Sequence, residues 1–141
     1  MTWRKRTGVA ILATVAVLLI PSALGATKRT TYWDDAQYHD ETKRWNDHTN
    51  TNTDETDITF EGCRTEQGET EDVDTAYLEL RRHRTLWPDL GYGDEFYDCY
   101  HEDTGTWSLE DNGKYFGRLT EVAGVTNDDA EIDIPRMVID W

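Results

Sequence analysis

Apolar and polar residues alternate with a period of two over much of the chain from residue 57 to residue 141. The pattern is clearest where Ala76, Leu78 and Leu80 share one parity, and it recurs at 132–141. A period of two predicts β-strands that are buried on one face. No long run with helical periodicity follows the first 25 residues. We therefore expect an all-β fold, either an antiparallel β-sandwich or a small barrel, with six or seven short strands.

Two local signals refine this expectation. Asn112-Gly113 lies between the strand-like segments 106–109 and 114–122, and Asn-Gly in that setting predicts a tight hairpin, because both residues tolerate a positive φ. The parity of the apolar residues also changes across Pro135. Since proline cannot donate a ladder hydrogen bond, this change predicts a β-bulge at Pro135 on an edge strand.

The amino-terminal segment has the layout of a secretory signal peptide. Residues 4–6 are Arg-Lys-Arg, residues 9–20 are mostly apolar, Pro21 follows, and small residues occupy most of 23–26. This order predicts cleavage after Gly25 or Ala26 and a secreted, extracellular protein. The alternatives are an uncleaved anchor helix and a pilin-type leader processed near Gly8.

The charge of the chain excludes two classes of partner. The first 25 residues hold three of the 14 basic residues and none of the 29 acidic ones, so the remaining chain carries a formal net charge of −18 instead of −15. A chain this acidic is repelled by nucleic acid phosphates and by anionic membrane surfaces. We expect no nucleic acid partner and no membrane partner after cleavage. Other secreted proteins, glycans and divalent cations remain open.

Cys63 and Cys99 are the only cysteines of the chain. In an exported domain such a pair predicts one disulfide. Closing a loop of this length contributes about 3–4 kcal/mol in the chain-entropy estimate. The cysteines have no Cys-x-x-Cys spacing and the four histidines are scattered, so the sequence predicts no zinc site.

The composition divides the exported chain into two parts. Residues 26–56 are polar and are expected to form an extended arm and a linker, whereas residues 57–141 are expected to form the β-sandwich domain. The arm contains Lys28, Arg29, Tyr32 and Trp33. It is either free to dock on another protein or a first strand of the domain's own sheet, and the sequence leaves both alternatives open.

The sequence contains no motif for catalysis. Ser108 is the single serine after the leader and has no Gly-x-Ser-x-Gly around it, and no phosphate-binding glycine loop occurs. We therefore expect a protein that is not an enzyme and has no cofactor. Structural calcium is the one exception left open, because 52–57 and Asp128-Asp129 offer oxygen ligands, although neither has the spacing of an EF-hand loop.

Short segments of the chain resemble small secreted actinobacterial β-sandwich proteins of unassigned activity. The leader is similar to their export signals. Six further segments carry the resemblance, at 77–81, 87–89, 97–99, 105–107, 113–116 and 138–141. The general organisation also resembles the adaptor subunit of a Streptomyces umbrella toxin particle. The resemblance implies a disulfide-bonded adaptor without catalytic activity, in an antibacterial toxin complex.

These observations lead to one functional expectation and two alternatives. We expect a secreted, non-catalytic binding or adaptor protein in an extracellular assembly. Its candidate partner-binding residues are Lys28, Arg29, Tyr32, Trp33, Tyr97 and Tyr100. The first alternative is a carbohydrate- or cell-wall-binding module that uses Trp33 or Trp87. The second is a pilin-like or membrane-anchored surface protein.

Overall fold

The structure, a computed structural model, describes residues 28–47, 55–67, 74–109 and 111–141. The expected signal peptide lies outside these residues. In the described ranges, no helix is long and apolar enough to cross a membrane. The strands there are β1 (Lys28–Gln37), β2 (Trp45–Asp47), β3 (Glu55–Glu61), β4 (Arg64–Gln67), β5 (Thr75–His83), β6 (Leu90–Asp98), β7 (Glu102–Ser108), β8 (Gly113–Val122) and β9 (Ala130–Asp140).

The strands form two antiparallel sheets packed face to face. The first sheet has the order β1-β9-β3-β7, and β4 also pairs with β9. The second sheet has the order β2-β8-β5-β6. The expected all-β antiparallel sandwich is therefore confirmed, with nine strands in the described residues instead of the six or seven that the sequence pattern predicts.

The core lies between the two sheets and follows the period-two pattern. In β5, Ala76, Leu78 and Leu80 are fully buried, whereas the residues between them are half-buried. Ile58 and Phe60 of β3 contribute from the opposite sheet. Burial of each large apolar side chain contributes about 1.5–3 kcal/mol, so this interface is the main source of stability.

Hydrogen bonds also join the two sheets to each other. On one side, the Tyr97 hydroxyl of β6 donates to the Ile58 carbonyl at 2.8 Å and accepts from the Gly105 N–H at 3.2 Å. On the other side, the segment after β1 pairs with β8, where the Thr42 N–H donates to the Gly117 carbonyl at 2.9 Å. These bonds give hydrogen-bond partners to backbone groups of β3, β7 and β8.

The segment expected as an arm is a strand of the first sheet. β1 pairs with β9 from Lys28 opposite Asp140 to Gln37 opposite Glu131. Of the two alternatives left open by the sequence, the described residues adopt the strand. The domain boundary expected at residue 57 therefore moves, because β1, β2 and the start of β3 all belong to the folded domain. Residues 48–54 of the expected linker lie outside the described residues.

The hairpin predicted at Asn112-Gly113 is wrong. β7 pairs with β3 in the first sheet, whereas β8 pairs with β2 and β5 in the second, so the chain crosses between the sheets at this point. Neither Asn112 nor Gly113 has a positive φ. Burial of Leu109 between the sheets and pairing of β8 with two neighbours outweigh the local turn preference.

The bulge predicted at Pro135 is confirmed, but its strand is not at an edge. Thr31 pairs with Met137 and Trp33 with Ile134, so β9 has one extra residue between these pairs. β9 is flanked by β1 on one side and by β3 and β4 on the other. Proline is tolerated in this central strand because the ladder is interrupted around it.

The disulfide joins the two sheets. Cys63 lies between β3 and β4 and is bonded to Cys99, which directly follows β6, and their Cα atoms are 4.4 Å apart. The predicted disulfide is therefore confirmed. It fixes the junction of β3 and β4 in the first sheet to the end of an edge strand in the second.

Replacing both cysteines, C63S together with C99S, should lower the free energy of unfolding by about 3 kcal/mol, because the crosslink restricts the unfolded chain. Urea denaturation followed by Trp fluorescence measures this change. Reduction of the wild-type protein provides the control and should give a similar loss. A loss below about 1 kcal/mol would contradict this role.

The Tyr97 hydroxyl should account for a second, separable part of the stability. Tyr97→Phe removes both of its hydrogen bonds and leaves buried backbone groups unpaired, which should cost about 1–3 kcal/mol. Tyr100→Phe is the matched control, because Tyr100 is exposed. Equal thermal midpoints for the two variants would show that the bonds made by Tyr97 contribute nothing.

Candidate functional site

A surface groove of about 610 Å³ lies beside the disulfide. Residues 32–34 of β1, residues 62–64 at the junction of β3 and β4, and Asp133 and Pro135 of β9 line it. The groove thus combines aromatic rings, the disulfide, a guanidinium group and carboxylates. We call it the disulfide groove.

The groove forms where three strands lose their regular pairing. β3 pairs with β9 as far as Phe60 opposite Met137, and β4 resumes the pairing at Arg64 opposite Asp133. Gly62, with a φ of 81°, adopts the left-handed conformation that turns the chain between these two strands. Pro135 lies in the interrupted stretch of β9. Because the strands diverge here, the sheet surface is concave.

A second bulge places the carboxylates of the groove. Trp33 pairs with Ile134 and Ala36 with Ile132, so β1 has an extra residue here, and Asp35 has a φ of 51°. The Asp35 N–H donates to Asp133 Oδ1 at 2.9 Å instead of to the ladder. Asp133 therefore satisfies the backbone donor that the bulge would otherwise leave unpaired.

Asp133 is held in its ionised form. The hydrogen bond from the Asp35 N–H is the largest cause that lowers the pKa of Asp133, and burial opposes it. The Arg64 guanidinium, 3.3 Å from Asp133 Oδ2, lowers this pKa further. At neutral pH the groove therefore presents a fixed carboxylate beside an exposed guanidinium group.

Two carboxylates of the groove and a neighbouring one are close enough to share a cation. Asp34, Asp35 and Asp133 each place one oxygen within 4.8 Å of the others. Oxygen ligands suit hard divalent cations such as Ca²⁺. This trio differs from the residues that the sequence suggests for calcium: Asp128-Asp129 lies in a separate turn, and residues 52–54 are outside the described ranges. The bonds of Asp133 to Arg64 and to the Asp35 N–H identify it as a structural bridge between strands.

The structure brings together some of the predicted partner-binding residues. Tyr32 is 68% exposed at the groove, and Trp33 is half-buried, with its ring packed against the core. Tyr100 is 72% exposed and directly follows Cys99, the disulfide partner of the groove residue Cys63. Tyr32 and Trp33 therefore share the groove with Cys63, whereas Tyr100 lies next to the other cysteine of the disulfide and does not line the groove.

The other predicted contact residues lie elsewhere. Tyr97 is fully buried against Phe60, with ring centroids 3.9 Å apart, and burial raises its pKa well above the usual value. Tyr97 is thus a core residue and not a surface contact. Lys28 lies at the far end of β1, 3.8 Å from Asp140, and the Arg29 guanidinium donates to the Lys43 and Arg44 carbonyls.

Sequence reasoning missed the charged residues of the groove, Arg64 and Asp133. Arg64 follows Gly62-Cys63, and Asp133 precedes Pro135 by two residues. The sequence does show the two irregularities beside these residues. One is the glycine next to a cysteine at Gly62-Cys63, and the other is the change of parity at Pro135. No sequence signal showed that the two irregularities lie opposite each other.

Comparisons with protein-family models, with curated protein sequences and with solved structures found no match to this chain.

The ionised state of Asp133 predicts a pH-dependent effect on stability. Asp133→Asn should lower the free energy of unfolding by about 1 kcal/mol at pH 7, because the asparagine cannot pair with Arg64 as a charge. The folded-state pKa of Asp133 lies below the ordinary value of 3.8, so the wild-type advantage is complete above about pH 4 and is lost as the pH falls through that lower pKa. Denaturation of both proteins at pH 7 and near pH 2 measures this. An advantage of equal size at both pH values would contradict it.

Proposed function

We propose that this chain is a secreted, non-catalytic binding protein that acts as an adaptor in an extracellular assembly, and that the disulfide groove is a contact surface for another secreted protein. The preformed groove, with exposed Tyr32 at its rim, carries the proposal. The type of assembly that the sequence resemblance suggests is an antibacterial toxin complex.

The composition of the groove suits a protein partner. Tyr, Trp and Arg are the side chains most enriched among the residues that dominate binding energies. Tyr32 and Arg64 are both more than half exposed, and the half-buried Trp33 provides an apolar floor. Because the disulfide and the double bulge hold the backbone, the groove is available without a costly rearrangement on binding.

Asp89, Asp133 and Tyr97 do not have the state expected of a general acid that works near neutral pH. A general acid that works near neutral pH needs a carboxyl group with a raised pKa. For the two described carboxyl groups whose pKa shifts are resolved, Asp89 and Asp133, the shift is downward. The raised pKa of Tyr97 results from burial, and its hydroxyl is used by two backbone groups. These groups act as structural anchors.

A carbohydrate- or cell-wall-binding module is the second candidate function. One observation favours it: the Trp87 ring is 72% exposed in the described structure, and exposed aromatic faces suit stacking on sugar rings. The pilin-like or membrane-anchored alternative depends on residues outside the described ranges.

Binding at the groove can be tested with point variants. Deletion of residues 26–33 would remove half of β1, so Tyr32→Ala is the better variant, because the Tyr32 side chain is exposed. We expect wild-type protein to co-elute with a secreted protein from the culture medium of its own organism. Tyr32→Ala should weaken that complex by about tenfold or more, as measured by calorimetry with the purified partner.

Phe96→Ala is the matched control, because Phe96 is also a partly exposed aromatic residue but lies on the second sheet. It should bind as the wild type does. Recovery of the protein from the medium only as a free monomer would refute the adaptor function. Retention by cell-wall polysaccharide that is lost in Trp87→Ala would favour the second candidate function instead.

A further inference from the structure

Two apolar side chains stand exposed at the end of the sandwich opposite the disulfide. They belong to the loop between β5 and β6, residues 84–89, which together with Leu90 we call the hairpin tip. Leu86 is 88% exposed and Trp87 is 72% exposed, and Leu90 at the start of β6 is also exposed. Adjacent exposed Leu and Trp residues on an acidic, otherwise polar surface are typical of a binding site.

The hairpin tip is held in one conformation by its own polar groups. Asp89 Oδ1 accepts the Arg84 N–H at 3.0 Å and lies 3.1 Å from His83 Nδ1. The Arg84 side chain returns to donate to the Pro88 carbonyl at 2.7 Å, and Arg81 donates to the Asp89 carbonyl at 3.2 Å. A loop ordered in this way loses little conformational entropy when it binds.

Basic residues surround the hairpin tip. Lys114 pairs with His83 across β8 and β5, and Arg44 lies 5.2 Å from the centre of the Phe116 ring. Phe116 is itself opposite Arg81. Residues 81–90 contain three arginines and one acidic residue.

The acidic groups near the hairpin tip are already paired. Asp89 bonds to groups of its own loop, Glu79 lies 3.4 Å from Arg81, and Asp111 lies 2.7 Å from Arg82. The exposed side chains of Arg44 and Lys114 add positive charge beyond these pairs. The hairpin tip is therefore locally basic on a chain whose formal net charge is −15.

This local charge determines which partner fits. At physiological ionic strength the Debye length is about 8 Å, so a partner in contact with the hairpin tip experiences the exposed Arg44, Arg84 and Lys114 more strongly than the distant acidic residues. We propose that the hairpin tip docks on a protein with an acidic surface patch, into which Leu86 and Trp87 insert. This interaction goes beyond the proposed function of the disulfide groove.

A protein patch fits better than a sugar surface. Leu86, the more exposed of the two apolar residues, offers no ring face for stacking on sugars. An acidic patch of limited size meets only the hairpin tip, away from the acidic remainder of the chain. Binding to an anionic membrane is the competing outcome, which the vesicle measurement below distinguishes.

The hairpin tip is separate from the disulfide groove. β5 begins beside Asp74, whose carbonyl accepts the Cys99 N–H, and ends at His83. A strand of this length spans roughly 25 Å at about 3.3 Å per residue. One molecule can therefore hold a partner at each end.

Photocrosslinking from the hairpin tip identifies the partner class. A photoreactive phenylalanine analogue replaces Trp87 in the full exported chain, and the same analogue replaces the partly exposed Phe96 of β6 as the control. The probe is the set of secreted proteins in the culture medium of the organism. We expect position 87, and not position 96, to form an adduct with an acidic protein. No adduct at position 87, or an adduct with polysaccharide, overturns the proposal.

The partner identified by crosslinking is then purified without the crosslink, and its binding to this chain is measured by titration. Trp87→Ala and Lys114→Glu should each weaken binding at least about tenfold, and raising the salt from 50 to 500 mM should weaken the wild-type complex. Arg136→Glu, a charge reversal on the other sheet, is the control and should bind as the wild type does. Binding that is unchanged in Lys114→Glu and insensitive to salt overturns the proposal, as does binding to phosphatidylglycerol vesicles that is lost in Trp87→Ala.

Two controls distinguish a loss of docking at the hairpin tip from unfolding of the variant and from a loss of binding at the disulfide groove. Thermal denaturation must show that each variant is folded, and Lys114→Glu serves this purpose well because Lys114 makes none of the bonds that order residues 84–90. Tyr32→Ala alters the disulfide groove and should leave the adduct at position 87 unchanged. If Tyr32→Ala abolishes that adduct, the hairpin tip is not an independent surface and the proposal fails, whereas the groove is supported.

Discussion

The interruption of the β-ladder at Pro135 is the constraint on which the disulfide groove depends. Proline has no N–H, so β9 cannot continue regular pairing through this position although it lies in the centre of its sheet. The chain responds on both sides: the pairing of β1 with β9 has one bulge on each strand, and β3 ends before β4 begins. The disulfide of Cys63 and the carboxylate of Asp133 then hold the divergent strands. The groove is thus a consequence of backbone geometry and does not require a partner to open it.

Much of the fold could be predicted from the sequence, because period-two alternation is a direct record of one-sided burial. The strands around Leu78 and Ile134 and the disulfide follow from local pattern and composition. The sequence left open whether β1 is a free arm or a strand, since its outer face is polar and its partner β9 lies about a hundred residues away in the chain. The hairpin at Asn112-Gly113 was predicted wrongly because a turn preference is local, whereas the sheet to which β8 belongs is decided by pairing with β2 and β5.

The candidate sites were harder to predict than the fold. Tyr32 and Trp33 could be selected as aromatic residues in polar sequence, but Tyr97 has the same local appearance and is a core residue. The distinction depends on which face of a strand meets the opposite sheet. Arg64 and Asp133 carry no local signal, because their roles follow from the register between β4 and β9. Long-range register is the information that a single sequence does not contain.

The distribution of charge gives the two ends of the domain different character. A uniformly acidic domain of this size would remain soluble but would repel any acidic partner. One end of the domain is locally basic, because it contains Arg44, Arg81, Arg84 and Lys114. The disulfide end keeps exposed carboxylates beside its aromatic rings. Because screening confines each field to about 8 Å, two surfaces about 25 Å apart do not share an electrostatic field. The proposed adaptor function would use this separation, since each partner would meet the charge of one end alone.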